Sequence, residues 1–141
     1  MLRAASYRWS GQTFHRRFGD NWGIVSFQKS RWNDSSQVRF VVNLGTASGA
    51  VLDYVGHGKD NPPSEWECHW RRRISREGFS TETWWEIQAG ANPREIAALG
   101  VDVRDRIASE LPIIESMASD DALLDAHLRS GGFGQTDMDV A

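Results

Sequence analysis

The sequence predicts an α+β fold: an antiparallel sheet of about six strands in a meander, with C-terminal helices packed on one face. The hydrophobic pattern has a period of two in the front half and a helical period from residue 92 onward. The predicted strands are short and closely spaced, which leaves no room for the crossovers of parallel pairing. The 141 residues, 40% of them hydrophobic, have the size and composition of one domain with a true core.

The first three strands are predicted from alternation and turn residues. Gln12–Phe18 and Trp22–Lys29 flank the segment 19–21, Gly-Asp-Asn, whose residues tolerate a tight turn. The third strand, Gln37–Gly45, alternates cleanly between apolar and polar positions. These segments therefore form an antiparallel meander.

Three further segments complete the predicted sheet. Ala50–Val55 is a weaker strand, Trp66–Ile74 is the clearest one, and Trp84–Gln88 is short. The loop 56–64 separates the first two, because it contains two glycines and two prolines. Period two in Trp66–Ile74 predicts that Trp66, Cys68 and Trp70 face the core, whereas Glu67, His69, Arg71 and Arg73 face outward.

The C-terminal part is predicted to be helical. Asn92 followed by Pro93 is a typical helix start, and Pro112 is expected to break or kink that helix. A last helix begins at Asp120 or Asp121 and ends before the glycines at 131 and 132. We expect one α+β domain over residues 1–132 and a flexible tail over 133–141. One apolar stripe of the first helix comprises Ile96, Leu99, Val103, Ile107 and Leu111.

Composition excludes several classes of protein. A lone cysteine, Cys68, forms no intramolecular disulfide and no cysteine-rich zinc site, and it fits a reducing compartment. No apolar run reaches the length of a membrane span, and no leader-like segment opens the chain. We therefore expect a cytoplasmic protein with no cofactor, no metal and no membrane contact. The oligomeric state is not predicted.

Charge is divided between the two parts of the chain. Residues 1–80 carry 12 Lys or Arg against 7 Asp or Glu, and residues 81–141 carry 4 against 12. All seven tryptophans also lie before residue 86. Such asymmetry indicates either a charged partner or two parts that neutralise each other. The acidic pI near 5.8 argues against nucleic acid as that partner, although aromatic and arginine side chains suit it.

Several ordered motifs stand out along the chain: Phe27-Gln28-Lys29-Ser30-Arg31-Trp32, Asn43-Leu44-Gly45, Cys68-His69-Trp70-Arg71-x-Arg73-Ile74, Trp84-Trp85, Ser6-Tyr7-Arg8 with Gly11-x-x-Phe14-x-Arg16, and Leu111-Pro112. Together they resemble a bacterial domain-of-unknown-function family (number four-three-zero-four) over about residues 6–128. The resemblance implies an α+β domain, and it brings no reaction, cofactor or catalytic residue. Members usually carry a helix before the first strand, whereas only Met1–Ala5 precede it here, so most of that helix is expected to be missing.

The outward face of the fifth predicted strand is the first candidate site. His69, Arg71 and Arg73 point one way, and Arg39 with Asn43 joins them if the third and fifth strands are neighbours. Guanidinium groups bind carboxylates and phosphates through two donors at once. The alternative is a solvated face whose arginines pair with nearby carboxylates, and His15 and Arg17 would extend either version. The candidate carboxylates are Asp53, Glu65 and Glu67.

Two smaller candidates accompany this face. Arg72 shares the parity of the core residues, so it is predicted to be a buried charge paired with Glu86, or else to extend out at the sheet edge. The segment Gln28, Ser30, Arg31 and Trp32 leaves a strand and enters a loop. It is either a recognition corner, since Trp and Arg are common interface anchors, or simply the polar end of a strand.

Catalytic signatures are weak. His69 with Glu67 or Glu86 is a conceivable acid–base pair, but no nucleophile elbow, phosphate-binding glycine loop or metal-binding histidine helix is present. The leading hypothesis is a non-catalytic binding domain for a protein or anionic partner. An immunity-type role is one version, in which acidic helices occupy the basic cleft of a toxin. The alternative is a small phosphoester hydrolase that uses His69 and nearby arginines. The acidic residues concerned are Asp102, Asp105, Glu110, Glu115, Asp120 and Asp121.

Overall fold

The computed structural model describes residues 1–31, 33–74 and 84–130. Trp32 and the predicted tail 133–141 lie outside the described residues. The strands are β1 (Arg8–Ser10), β2 (Thr13–Phe18), β3 (Asn21–Lys29), β4 (Gln37–Ala47), β5 (Trp70–Ile74) and β6 (Trp85–Gln88). The helices are α1 (Gly49–Tyr54), α2 (Pro93–Ser116) and α3 (Asp120–Ser130), with a 3₁₀ helix at Glu65–Glu67.

The strands form one antiparallel sheet of six, in the order β1-β2-β3-β4-β5. β6 also pairs with β4, so β5 and β6 lie end to end along the same edge of that strand. β5 pairs with positions 42–46 of β4, and β6 pairs with positions 37–40. The predicted class, an antiparallel meander with C-terminal helices, is confirmed.

The larger core lies between the sheet and α2. Strand alternation turns Val25, Leu44 and Ile74 toward this helix, where they pack with Ile107 and Ile114. All five side chains are at most 2% exposed. Burial on this scale is the main stabilising term in folding.

The opposite face carries a smaller core under α1. Trp22 and Ile24 of β3 pack there with Ala47, Leu52 and Cys68. The loop that follows α1 is held down, since the Trp22 indole Nε1–H donates to the Lys59 carbonyl at 2.8 Å. Among the described residues, neither α1 nor the loop after it packs on the β4–β5–β6 corner of this face, which carries polar side chains.

The segment predicted as the weak fourth strand, Ala50–Val55, is a helix, and that prediction is wrong. Ser48 caps α1 by accepting a hydrogen bond from the Val51 amide, a contact that favours a helical turn. Leu52, 1% exposed, anchors the helix on the sheet. A short apolar run of this kind does not by itself distinguish a strand from a helix.

The strand predicted from Trp66 begins only at Trp70, so part of its predicted parity is wrong. Trp66 lies in the 3₁₀ helix and is 72% exposed rather than facing the core. Cys68 is buried, but its sulfur packs against Gly45 on the α1 side, whereas Trp70 packs into the α2 core. The tight approach is possible because position 45 has no side chain.

Of the two outcomes predicted for Pro112, a break or a kink in the helix, the break does not occur. Pro112 neither breaks nor ends α2, which runs unbroken to Ser116. Pro112 and Ala108 are both exposed, so the Ala108 carbonyl that loses its amide donor can reach water. Asn92 caps this helix as predicted, by accepting from the Glu95 amide at 2.9 Å. Across the described residues, no helix is long and apolar enough to cross a bilayer.

Candidate functional site

Strand register assembles a polar surface on the side of the sheet that α2 does not cover. Asn43 of β4 lies opposite Arg73 of β5, and Arg39 of β4 lies opposite Glu86 of β6. Gln28 reaches the same surface from β3. The structure thus brings Asn43 and Arg39 of the third predicted segment together with Arg73 and Arg71 of the fifth. We call this surface the arginine face: Gln28, Arg39, Asn43, Arg71, Arg73 and Trp84.

Arg73 is held by a closed set of hydrogen bonds at the centre of the arginine face. Its Nε donates to Asn43 Oδ1 at 3.1 Å, and its Nη2 donates to Gln28 Oε1 at 3.1 Å. The Asn43 amide in turn donates to the same Gln28 oxygen at 2.7 Å. Burial lowers the pKa of Arg73 and the charge of Glu65 opposes this, but a guanidinium stays protonated in proteins.

Trp84 contacts both Arg39 and Arg73, and the sequence did not predict it as a site residue. Its ring centroid is 6.0 Å from the guanidinium carbon of Arg39 and 5.8 Å from that of Arg73. Cations over an indole face at this range are attracted by the ring quadrupole. The Trp84-Trp85 pair was the available signal: neighbours in a strand face opposite sides, and Trp85 is in the core.

The remaining arginines of the face have acidic neighbours. Arg39 Nε lies 3.1 Å from Glu86 Oε1. Arg71 Nη1 lies 3.6 Å from Glu65 Oε1, and both of these side chains are less than one-fifth exposed. Of the carboxylates predicted to pair with these arginines, Glu65 does so through its contact with Arg71. Glu67 does not, because its Oε2 lies 3.3 Å from His57 Nε2.

His69 does not lie on the arginine face. Its Nδ1 accepts a hydrogen bond from the Ser48 amide at 2.9 Å, and its own amide donates to the Thr46 carbonyl at 2.8 Å. Nδ1 is therefore occupied and cannot serve as a base. Burial lowers the pKa of His69, and the charge of Asp120 partly opposes this shift. The imidazole holds the start of α1.

His15 and Arg17 do not extend the face either. The His15 ring Nε2–H donates to the Pro63 carbonyl at 3.0 Å, since a carbonyl can only accept. Arg17 donates to the Lys59 carbonyl at 3.1 Å and lies 4.4 Å from the Trp22 ring centroid. Both side chains fasten the loop that follows α1.

The predicted pairing of Arg72 with Glu86 needs correction. Arg72 is opposite Leu44 and Glu86 is opposite Arg39, so alternation places the two side chains on opposite faces of the sheet. Glu86 pairs with Arg39 instead. Arg72 faces the α2 side, as its parity predicted.

The predicted recognition corner divides into two parts. Gln28 belongs to the arginine face, whereas the Ser30 amide donates to the Arg39 carbonyl and continues the β3–β4 pairing. Asn33 closes the turn, because its Oδ1 accepts from the Arg39 amide at 2.8 Å. Arg31 is exposed, and Trp32 lies outside the described residues.

Several acidic side chains of α2 and α3 make contacts within the protein or are buried. Asp102 accepts from the Trp85 indole at 2.8 Å, and Asp120 accepts from the Asn21 amide at 3.0 Å. Glu110 is only 4% exposed. Half of the six carboxylates proposed for an immunity-type contact are therefore turned inward or bound. No group of three potential ligands in the described ranges could hold a metal ion.

Comparison with models of known protein families identifies the family of the chain. The family model described as Domain of unknown function (DUF4304) matches residues 1–109. The chain therefore belongs to this family, as the motifs indicated. The search of curated proteins gives no match. The search of solved structures gives none either.

Proposed function

We propose that this protein is a non-catalytic binding domain that recognises an anionic partner, in the first place an acidic protein surface, through the arginine face. The observation that carries the proposal is the shared contact of Arg39 and Arg73 with the Trp84 ring. Trp and Arg are the residues most enriched at the energetic centres of interfaces.

Preorganisation supports this assignment. Gln28 and Asn43 hold the Arg73 side chain before any partner arrives, so little rotamer entropy is lost on binding. The basic balance of residues 1–80 supports attraction of an acidic partner. The hydrolase alternative is disfavoured, because His69 Nδ1 already accepts a hydrogen bond from the Ser48 amide and is not free to take a proton from a substrate.

Affinity purification from the source organism tests the proposal. The bait variant Arg39→Gln/Arg73→Gln removes two charges from the face. The control, Arg94→Gln/Arg129→Gln, removes two charges from exposed helical positions. We expect a partner that the wild type and the control retain and the face variant loses. Its affinity should also fall as salt rises, because exposed charges are screened. Equal recovery by all three proteins would refute the arginine face as the binding surface, provided that melting curves show each variant folded.

A further inference from the structure

A second candidate site lies on the other side of the sheet, at the end where α2 begins. It is a groove of about 490 Å³, within the usual range of small-molecule sites. Its floor is formed by three half-buried phenylalanines on adjacent strands: Phe14, Phe27 and Phe40. Their ring centroids are 6.3 Å apart in each neighbouring pair. The sheet thus offers a continuous aromatic surface there.

One wall of the groove is a stretch of α2 that does not close over these rings. Leu99, Val103 and Ile107 pack toward the sheet, whereas a Cβ atom added at Gly100 would meet no atom within 4 Å. Met1, which lines the groove beside Phe14 and Leu99, is 44% exposed. Contiguous exposed apolar surface of this kind marks binding sites.

The charged side chains that the structure describes at the groove have one sign. Arg3 and Arg104 line it, and no carboxylate of the described ranges does so. The nearest acidic contact of Arg104 is loose, with its Nε 3.8 Å from Asp105 Oδ1, and both side chains are more than half exposed. An apolar channel with guanidinium groups at its border complements a molecule that has an apolar body and one anionic end.

We propose that this groove binds a carboxylic acid with an apolar chain, of the medium-chain fatty acid class. The chain lies on the three phenylalanines beneath α2, and the carboxylate meets Arg104 and Arg3. This site is separate from the arginine face, because the two occupy opposite sides of the sheet. The proposal is therefore independent of the proposed function.

Binding of decanoate to the full chain, measured by calorimetry, tests the ligand class. Decanol keeps the chain without the charge, decyltrimethylammonium reverses the charge, and acetate keeps the charge without the chain. We expect decanoate to bind at least about tenfold more tightly than any of these, since each lacks one of the two recognised features. Equal binding of decanoate and decyltrimethylammonium, or no binding of decanoate at millimolar concentration, would overturn the proposal.

Gly100→Leu locates the site without weakening the protein. The added Cβ meets no atom within 4 Å, Gly100 lines the groove, and leucine is a better helix former than glycine. The melting temperature should therefore rise while decanoate binding falls at least about tenfold. Ala98→Leu, on an exposed position of the same helix, should leave binding unchanged. Arg104→Gln should weaken decanoate and leave decanol unaffected, with Arg94→Gln as the matched control.

Decanoate affinity that is the same in Gly100→Leu and the wild type would place the ligand elsewhere and refute the groove. Sedimentation gives a further check. If the wild type is a dimer that Gly100→Leu converts to a monomer, the groove is occupied by a second copy of the chain, and the fatty acid proposal is wrong.

Discussion

The two faces of the sheet are covered in different ways. A 24-residue helix, α2, lies along one face, whereas the described cover of the other face is at one end and consists of the six residues of α1 and the loop after it. On each face, the covering element approaches the sheet closely at a glycine of a strand. An added Cβ at Gly23 would lie 2.8 Å from Ile114 of α2, and one at Gly45 would lie 2.8 Å from the Cys68 sulfur.

The difference explains where polar function can reside. Under α2 an unpaired polar group would be desolvated at a cost, so the sheet presents mainly apolar side chains there. Beyond α1, the same strands present Asn43 and Arg73, which hydrogen-bond to each other and to Gln28. They also present Arg39, which lies beside Glu86 and Trp84. Within the described part of the chain, the shorter cover on this face therefore leaves room for an ordered charged surface.

The largest expected effect separates the two cores. Ile114→Ala, at a side chain with 0% exposure under α2, should lower the free energy of unfolding by about 2–5 kcal/mol. Leu52→Ala, under the smaller cover, should fall at the lower end of that range, because its surroundings can collapse more easily. Urea unfolding measures both, with Ile96→Ala as the exposed control on α2. A greater loss at Leu52 than at Ile114 would contradict the ranking of the two cores.

The next effect concerns the close approach at Gly45. Gly45→Ala should cost about 1–3 kcal/mol, because the new methyl group overlaps Cys68 and the rigid strands cannot separate freely. Gly100→Ala is the matched control, since it meets no neighbour and should stabilise by up to about 1 kcal/mol. Thermal unfolding distinguishes the two. Equal melting temperatures would mean that the Cys68 turn moves aside without loss.

The fold was predictable where a single residue pattern defined both the type of element and the face that it buries. Gln37–Gly45 alternates cleanly and is β4 with two further residues, and the spacing after Asn92 defines α2. The strand prediction for Ala50–Val55 failed because the conformation of this segment depends on the Ser48 cap and on the packing of Leu52 against a strand distant in sequence. Neither contact is visible in the run itself.

The site was predictable only as far as the strand extends. Arg71 and Arg73 keep strand parity and share a face with Arg39, as the sequence indicated. His69 stands just before β5, where a preceding 3₁₀ turn has already broken the alternation. Its position is set by Ser48, far away in the chain, so parity could not place it.

Acid should weaken the α1 side of the sheet before the α2 side. Burial lowers the pKa of both His15 and His69 below the ordinary value of 6.5. The unfolded chain therefore binds more protons in this range, so stability is complete above about pH 6.5 and falls as the pH drops toward the folded pKa values. Urea unfolding between pH 8 and 5 measures this loss.

The His15→Gln/His69→Gln variant should flatten that pH dependence. Hydrogen exchange adds the location: amides of α1 and its loop should lose protection at acid pH while those of α2 keep it. A profile with the same slope in the variant would assign the acid sensitivity to other groups.

The smallest expected effect on stability comes from the ion pair at the border of the arginine face. Arg39 and Glu86 are both more than a third exposed, so solvent screens their attraction and either substitution should cost at most about 1 kcal/mol. The affinity for an anionic partner should change in opposite directions in the two variants. Arg39→Gln removes a cation from the face and should weaken an anionic partner, whereas Glu86→Gln removes the competing carboxylate and should strengthen it. Titration of both variants with the partner recovered by affinity purification measures this. If both weaken binding equally, the pair acts as a structural unit and the partner does not contact Arg39.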